Sequence, residues 1–210
     1  MCTFVLIMKT TISASERAIK KIKSKGGLIR TKEAISSGIY PRTLNELVKD
    51  RKLEIVSRGI YRYGTSTQIS DPDLVIVATR IPHGVICLIS ALSYHKITTQ
   101  IPHKVYVALK RDARTPRLDF PPVAIQRFSG KAFLEGIEKH NIDGVEVKIY
   151  NAEKTLADCF KFRNKIGMDV VLEAMKIYKS KMKFNIRAIM HYSRICRVDK
   201  IITPYLEAIG

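Results

Sequence analysis

Apolar residues Leu44, Leu47 and Val48 recur at i, i+3 and i+4, while Arg42, Asn45, Glu46 and Lys49 fall on the opposite face of the same period. That spacing predicts an amphipathic helix over about residues 40–51. Pro41 suits its first turn, where no backbone donor is needed. A shorter helix is predicted before it, capped by Thr31 and running to about Ser37, with Glu33 in the first turn where the helix dipole favours an acid. Gly38 follows as a C-cap or tight turn. Upstream, Ser13 or Ser15 can cap a helix reaching about Lys25, which Gly26-Gly27 ends. Downstream, the apolar runs Leu53–Val56 and Ile60–Tyr63 flank Ser57-Arg58-Gly59, a hairpin signature with a basic tip and Arg62 close behind. Helix, turn, helix and basic hairpin form the order of a winged helix-turn-helix. That module lays one helix in the DNA major groove and a wing on the backbone.

The side chains on the polar face fit this use. Arg and Asn make bidentate contacts to guanine and adenine edges, and Lys meets phosphate. Arg30, Thr31, Arg42, Thr43, Asn45 and Lys49, with Arg58 and Arg62 in the wing, are the candidate DNA-binding residues. A solvated amphipathic helix in a bundle would show the same period, so charge decides between the two. The formal net charge is +18 at pH 7. Residues 1–70, a third of the chain, carry 14 Lys and Arg against 5 Asp and Glu, half of that excess. Such a field draws a protein to nucleic acid.

The rest of the chain predicts a second domain. Thr65–Ser70 is a polar linker, and Asp71-Pro72-Asp73 starts a helix by cap and proline. Leu74–Arg80 and Gly84–Lys96 read as two short helices joined by Ile81-Pro82-His83. Lys104–Leu109 alternates, with Val105, Val107 and Leu109 on one face. Val123–Arg127 and Val145–Tyr150 are further strands, separated by a helix-like Lys131–His140. Four helices follow: Ala152–Arg163, Met168–Lys179, Phe184–Arg197 and Asp199–Ile209, with Pro204 inside the last. The expectation is an α+β protein. It has a winged helix-turn-helix over residues 8–68 and a mixed helix–sheet–helix domain over 71–210.

Composition adds exclusions. The 210 residues are 46% hydrophobic and 27% charged, ordinary for a soluble globular chain. The apolar run Gly84–Leu92 is too short to cross a bilayer. Thr3–Met8 is apolar but lacks the basic flank of a signal peptide, and Met8 opens a more ordinary N-terminus at which translation could start. A cytoplasmic protein without membrane partner follows. Cys2, Cys87, Cys159 and Cys196 show no zinc spacing and no disulfide framework, and Cys87 and Cys159 read as core fillers.

Candidate chemistry is sparse. Ser93-Tyr94-His95 holds a nucleophile and a base, but neighbours on a helix point in different directions, so packing or a hydrogen bond explains them better. His83, His103, His140 and His191 are isolated. Asp119 with Glu146-Val147-Lys148 has a spacing used by metal-dependent nucleases, where carboxylates hold a cation and lysine stabilises phosphate charge. A solvated cross-strand charge pair accounts for it equally. Lys154, Lys161, Arg163 and Lys165, with Asp158, make a basic helix end that can face phosphate, RNA or a partner, or simply complement the helix dipole. No Walker loop or GxGxxG is present, so no nucleotide cofactor, metal or catalytic residue is expected.

With these elements placed, the chain resembles the AbiEi-type antitoxins of bacterial abortive-infection, type IV toxin–antitoxin systems. The likeness runs from about Ser15 to Gly210. It rests first on GGLIRTKEA, Gly38-Ile39-Tyr40 and SRGIYRYG. It continues in the stretch Gly84–His95 (GVICLISALSYH), in Thr98-Thr99-Gln100-Ile101-Pro102, in Val147-Lys148-Ile149-Tyr150 leading into Glu153-Lys154-Thr155-Leu156-Ala157-Asp158, and in Arg163-Asn164-Lys165-Ile166-Gly167. The resemblance implies a non-enzymatic, DNA-binding autorepressor that recognises inverted repeats upstream of its own operon. It also implies a C-terminal domain that neutralises a toxin of nucleotidyltransferase fold without requiring a stable complex. A stand-alone regulator with a ligand-sensing second domain is the alternative, and the metal-dependent nuclease a lesser one. Operator, toxin and oligomeric state are not legible.

Overall fold

The computed structural model describes residues 13–64 and 71–209. The chain divides into two compact units, Met1–Ser70 and Asp71–Gly210. The readings made for Thr3–Met8, for the start at Met8 and for the linker Thr65–Ser70 lie outside the described residues.

In the first unit, α1 (Ala14–Ser24) begins with a capping box. The Ser13 hydroxyl accepts from the Glu16 N–H at 3.1 Å, and the Ser13 N–H donates to the Glu16 carboxylate at 2.8 Å. A short strand β1 (Leu28–Arg30) follows, then α2 (Thr31–Ser36), α3 (Pro41–Lys49) and the hairpin β2 (Leu53–Ser57) and β3 (Ile60–Tyr63). The sheet runs β1-β3-β2, antiparallel throughout. Three residues after a Gly pair are too few to show a strand period, so β1 was not legible in sequence. Gly38, at φ +75°, ends α2. Its N–H donates to Ile35 O at 2.9 Å, and the Ile39 N–H donates to Ala34 O at 2.8 Å, the paired bonds of a Schellman turn. That turn sets the angle at which α3 leaves. Ile22, Ile29, Leu44 and Leu47 are fully buried between the helices and the sheet.

In the second unit the order is α4 (Pro72–Arg80), β4 (Val85–Ile86), α5 (Leu88–Tyr94), β5 (Val105–Lys110), β6 (Val123–Phe128), α6 (Lys131–Leu134), β7 (Ile137–Ile142) and β8 (Val145–Tyr150). The helices α7 (Ala152–Lys161), α8 (Arg163–Ile166), α9 (Met168–Lys181), α10 (Ile186–Cys196) and α11 (Asp199–Ile209) complete it. The five-stranded sheet has order β6-β5-β4-β8-β7, with β5/β6 and β4/β8 parallel and the other pairs antiparallel. The fold class is α+β, as the sequence predicts.

Two segments differ from the sequence reading. Val85–Ile86 leaves the expected helix Gly84–Lys96 to become the central strand β4. The expected helix Lys131–His140 stops at Leu134, and Ile137–Ile142 pairs instead along β8. In both, pairing with a strand distant in sequence overrides a weak local preference. Ile86, Val107, Val147 and Ile149 line one buried face of the sheet, where α4 packs against β8. Val85, Ala108 and Tyr150 line the other and join the helical core around Leu156, Phe160 and Met175.

Candidate nucleic-acid interface

Helix α3 has one face locked and one face open. Leu44 and Leu47 are buried and Val48 is partly buried against the same core. Arg42, Asn45, Glu46 and Lys49 are exposed. Arg42 is paired with Glu46 at 3.1 Å, with side chains 91% and 51% exposed. An exposed i,i+4 pair contributes only about 0.3–0.5 kcal/mol, so Arg42 can trade Glu46 for a base edge at little cost. Thr43 sits on the flank and lines a cleft of about 240 Å³ with Arg17, Lys21 and Tyr40. Arg17, Lys21 and exposed Tyr40 were not picked out in sequence. The only signal was their place on the period of α1 and at the start of α3.

The hairpin turn is tied to the start of α2 through Thr31. Arg30, at the end of β1, is the N-cap of α2, and no side-chain cap bond forms there. Thr31 is therefore not the cap that the sequence predicts. It is the first helical residue, and its N–H and hydroxyl both donate to Gly59 O, at 2.9 and 3.3 Å. Gly59 adopts φ +75°, and a Cβ there would stand 3.2 Å from the Thr31 hydroxyl. The turn thus needs glycine for both conformation and clearance. Beside it, Arg58 is exposed at the hairpin tip.

Arg62 lies in the strand behind the turn, as the sequence reading has it, and its side chain is engaged there. It lies on the middle strand β3, its side chain is 16% exposed, and its guanidinium holds the Glu54 carboxylate across β2. Its partner and burial make it a residue that joins strands, not one of the wing tip. Lys25 and Glu33 bridge α1 to α2 at 2.7 Å, and Lys21 donates to Ser37 O at 2.6 Å, so the helix pair that carries α3 is cross-tied.

In the second unit the predicted basic helix end separates into two groups. Lys154 is corrected outright: it is fully buried, not on a surface. Its ammonium donates to both oxygens of Asp158, at 2.6 and 2.5 Å, and stands 4.4 Å from the centre of the Tyr150 ring. The Cys196 thiol donates to the same carboxylate at 3.1 Å. Burial pushes the Asp158 carboxyl upward while the Lys154 ammonium pulls it back. Burial, then the Asp158 charge, pushes the Cys196 thiol up to about 12. Burial likewise raises the Cys87 and Cys159 thiols well above the ordinary value, which leaves no reactive thiolate among the described residues. Lys161 and Lys165 are exposed, whereas Arg163 is half-buried and donates to Phe160 O at 3.0 Å, closing the end of α7.

The residues of the nuclease reading do not converge. Glu146 pairs with Lys139 at 3.2 Å, Lys148 donates to Pro82 O, and Asp119 lies in the exposed loop before β6. Among the described residues no three His, Cys, Asp or Glu are grouped to hold a metal ion. His95 Nε2 donates to Tyr150 O at 2.7 Å, and the ring packs edge-on to Tyr94, a packing role for the Ser-Tyr-His run. Among the described residues no helix is long and apolar enough to cross a membrane.

Residues 16–64 match the sequence model of a family described as transcriptional regulator, AbiEi antitoxin. Over this stretch the resemblance drawn from sequence is borne out. The search of curated proteins gives no match. Among solved structures, the chain is similar to the RV2827C protein from Mycobacterium tuberculosis, with a TM-score of 0.57 and 11% identity over 85% of this chain and 70% of that one. At that identity the likeness is one of fold.

Proposed function

We propose that the first unit is a winged helix-turn-helix that binds double-stranded DNA, with α3 in the major groove and the β2–β3 turn on the backbone. The chain is then a DNA-binding antitoxin that represses its own operon at inverted repeats. Its second unit neutralises a toxin of nucleotidyltransferase fold. It works in the cytoplasm and catalyses no reaction. One observation carries this reading: Arg42, Asn45 and Lys49 stand outward on a helix whose other face is fixed in the core. The family description over residues 16–64 supports the regulator and antitoxin parts.

In this mechanism Asn45 and Arg42 meet base edges, and Arg42 exchanges its Glu46 partner for guanine. Lys49, Arg58 and the lysines of α1 meet phosphates, releasing counterions and making affinity fall steeply with salt. The Thr31–Gly59 contact transmits the position of α2 to the wing, so that helix and wing engage one duplex in a fixed register. Of the basic helix end, Lys161 and Lys165 are the residues available to a partner surface.

The test is a mobility shift of the full-length protein on the DNA upstream of its own gene, against a scrambled duplex, at two salt concentrations. Preference for the upstream DNA that weakens with salt supports the reading. Equal binding to both duplexes contradicts it. Growth on co-expression with the toxin gene of the same operon tests the antitoxin half separately.

A further inference from the structure

At the end of the five-stranded sheet where β5 finishes and β4 begins, a cavity of about 590 Å³ opens. Val85, Phe133 and Ile137 give it an apolar floor, and Lys110, Lys139 and Lys148 stand in its wall. These lysines come from three different strands. Lys139 and Lys148 are direct cross-strand partners, so their side chains leave the same face of the sheet. Like charges directly opposite destabilise an antiparallel pair. Glu146 offsets Lys139 at 3.2 Å. Among the described residues, Lys148 has only the Pro82 carbonyl, at 3.1 Å. Among the described residues no carboxylate lies within ion-pair distance of Lys110 or Lys148.

A second feature extends this positive wall. Arg127 donates to Lys110 O, Ala113 O and the Thr115 hydroxyl, fixing the loop that leaves β5. Ala113 borders the cavity, and the same loop then presents Arg114 and Arg117 around a shallower cavity of about 380 Å³. An arginine spent on three bonds inside a loop thus fixes the segment that runs from Ala113, at the lysine-lined cavity, on to Arg114 and Arg117.

We propose that this cavity binds a nucleoside phosphate, with the base on the apolar floor and the phosphate between Lys110 and Lys148. The volume lies within the range of about 300–1,000 Å³ usual for small-ligand sites. Inorganic phosphate would satisfy the ammonium groups and leave the floor wet. A wholly apolar ligand would do the reverse and strand the charges. A flat ring joined to a phosphate answers both. Arg114 and Arg117, whose planar groups suit phosphate oxygens, receive whatever further phosphates follow. The same chemistry is offered by a free nucleotide and by the terminal nucleotide of an RNA strand. The inference stands on the second unit alone and does not rest on DNA binding by the first.

Isothermal titration calorimetry of the full-length protein tests it, with ribonucleoside monophosphates and triphosphates, adenosine, inorganic phosphate and a short single-stranded RNA as probes. At least one nucleoside phosphate is expected to bind about tenfold or more tightly than either adenosine or phosphate. The Lys110→Ala/Lys148→Ala protein should lose about tenfold or more of that affinity while its unfolding midpoint and its binding to duplex DNA stay as in the wild type. Tighter binding of the RNA than of any mononucleotide, weakened by Arg114→Ala/Arg117→Ala, identifies a strand end as the source; the reverse order identifies a free nucleotide. No nucleoside phosphate bound at about 1 mM, phosphate bound as tightly as nucleotide, or wild-type affinity in the double lysine variant would each overturn the proposal.

Discussion

Helices α3 and α7 carry the same device in sequence, a base followed by an acid four residues on. On α3, Arg42 and Glu46 are 91% and 51% exposed; on α7, Lys154 and Asp158 are both 0% exposed. Water screens the first pair, so it adds little to stability and is easily opened. The second pair has been stripped of water on every side and is held by two oxygens, a thiol and an aromatic ring. Neither partner of a buried pair can be removed without leaving an uncompensated charge in the core. The comparison teaches that i,i+4 spacing sets only who meets whom. Burial decides whether the meeting serves binding or folding. On this account the charges of α3 are free for a ligand, and those of α7 hold the second unit together.

Removing one partner on each helix should separate the two cases most. Asp158→Ala is expected to cost about 3–5 kcal/mol, measured by urea unfolding, whereas Glu46→Ala should cost no more than about 0.5 kcal/mol. Similar losses for the two would break the comparison. Replacing both buried partners, as Lys154→Met/Asp158→Leu, should recover most of the loss, because no lone charge is left.

In the first unit, the hairpin turn uses a backbone conformation at Gly59 that an L side chain would strain. Gly59→Ala puts an L-residue at φ +75° and a Cβ against the Thr31 hydroxyl. It should destabilise that unit by roughly 1–2 kcal/mol, read as a lower thermal midpoint. No shift would mean the turn relaxes freely and is not fixed to α2.

A smaller, pH-dependent contact lies on α9. Glu173 accepts from the Thr99 hydroxyl at 2.6 Å and from the Thr98 hydroxyl at 3.2 Å. These bonds, Thr99 first, lower its carboxyl pKa. A depressed acid contributes stability that is present above its unfolded pKa and is lost as pH falls through the folded one. Acid unfolding of the wild type should therefore include a component below the ordinary glutamate range that Glu173→Gln removes. An identical acid profile in the two proteins would count against this contact. The smallest effect is that of Arg42→Ala on stability, expected within about 0.5 kcal/mol although the same change weakens DNA.

The parts of the fold read correctly from sequence are those whose signal is local. Leu44, Leu47 and Val48 announce α3 within two turns, and Ser13 or Ser15 announces the start of α1, Ser13 being the cap that forms. The misread parts depend on partners far along the chain. β4 is two residues long, and β7 carries Glu138, Lys139 and His140, which favour no strand until β8 supplies the other half. The same cause hid the lysine-lined cavity, since Lys110, Lys139 and Lys148 converge only when β5, β4, β8 and β7 pair in that order. Lys154 could have been suspected, because Leu156, Ala157, Cys159 and Phe160 leave α7 no polar side. Arg62 could not be matched to Glu54 by counting outward from the Ser57-Arg58-Gly59 turn, because a bulge between Ile55 and Ser57 shifts the register by one residue.

The most direct measurement of the central claim is the ratio of affinities for upstream and random duplex DNA, determined for the wild type, Asn45→Ala and Arg58→Ala. Loss of about 1–3 kcal/mol on the upstream site and collapse of the ratio are expected for Asn45→Ala, as for a lost bidentate base contact. Arg58→Ala should weaken both duplexes and keep the ratio. An unchanged ratio and affinity for Asn45→Ala would contradict the assignment of α3 as the helix that reads DNA.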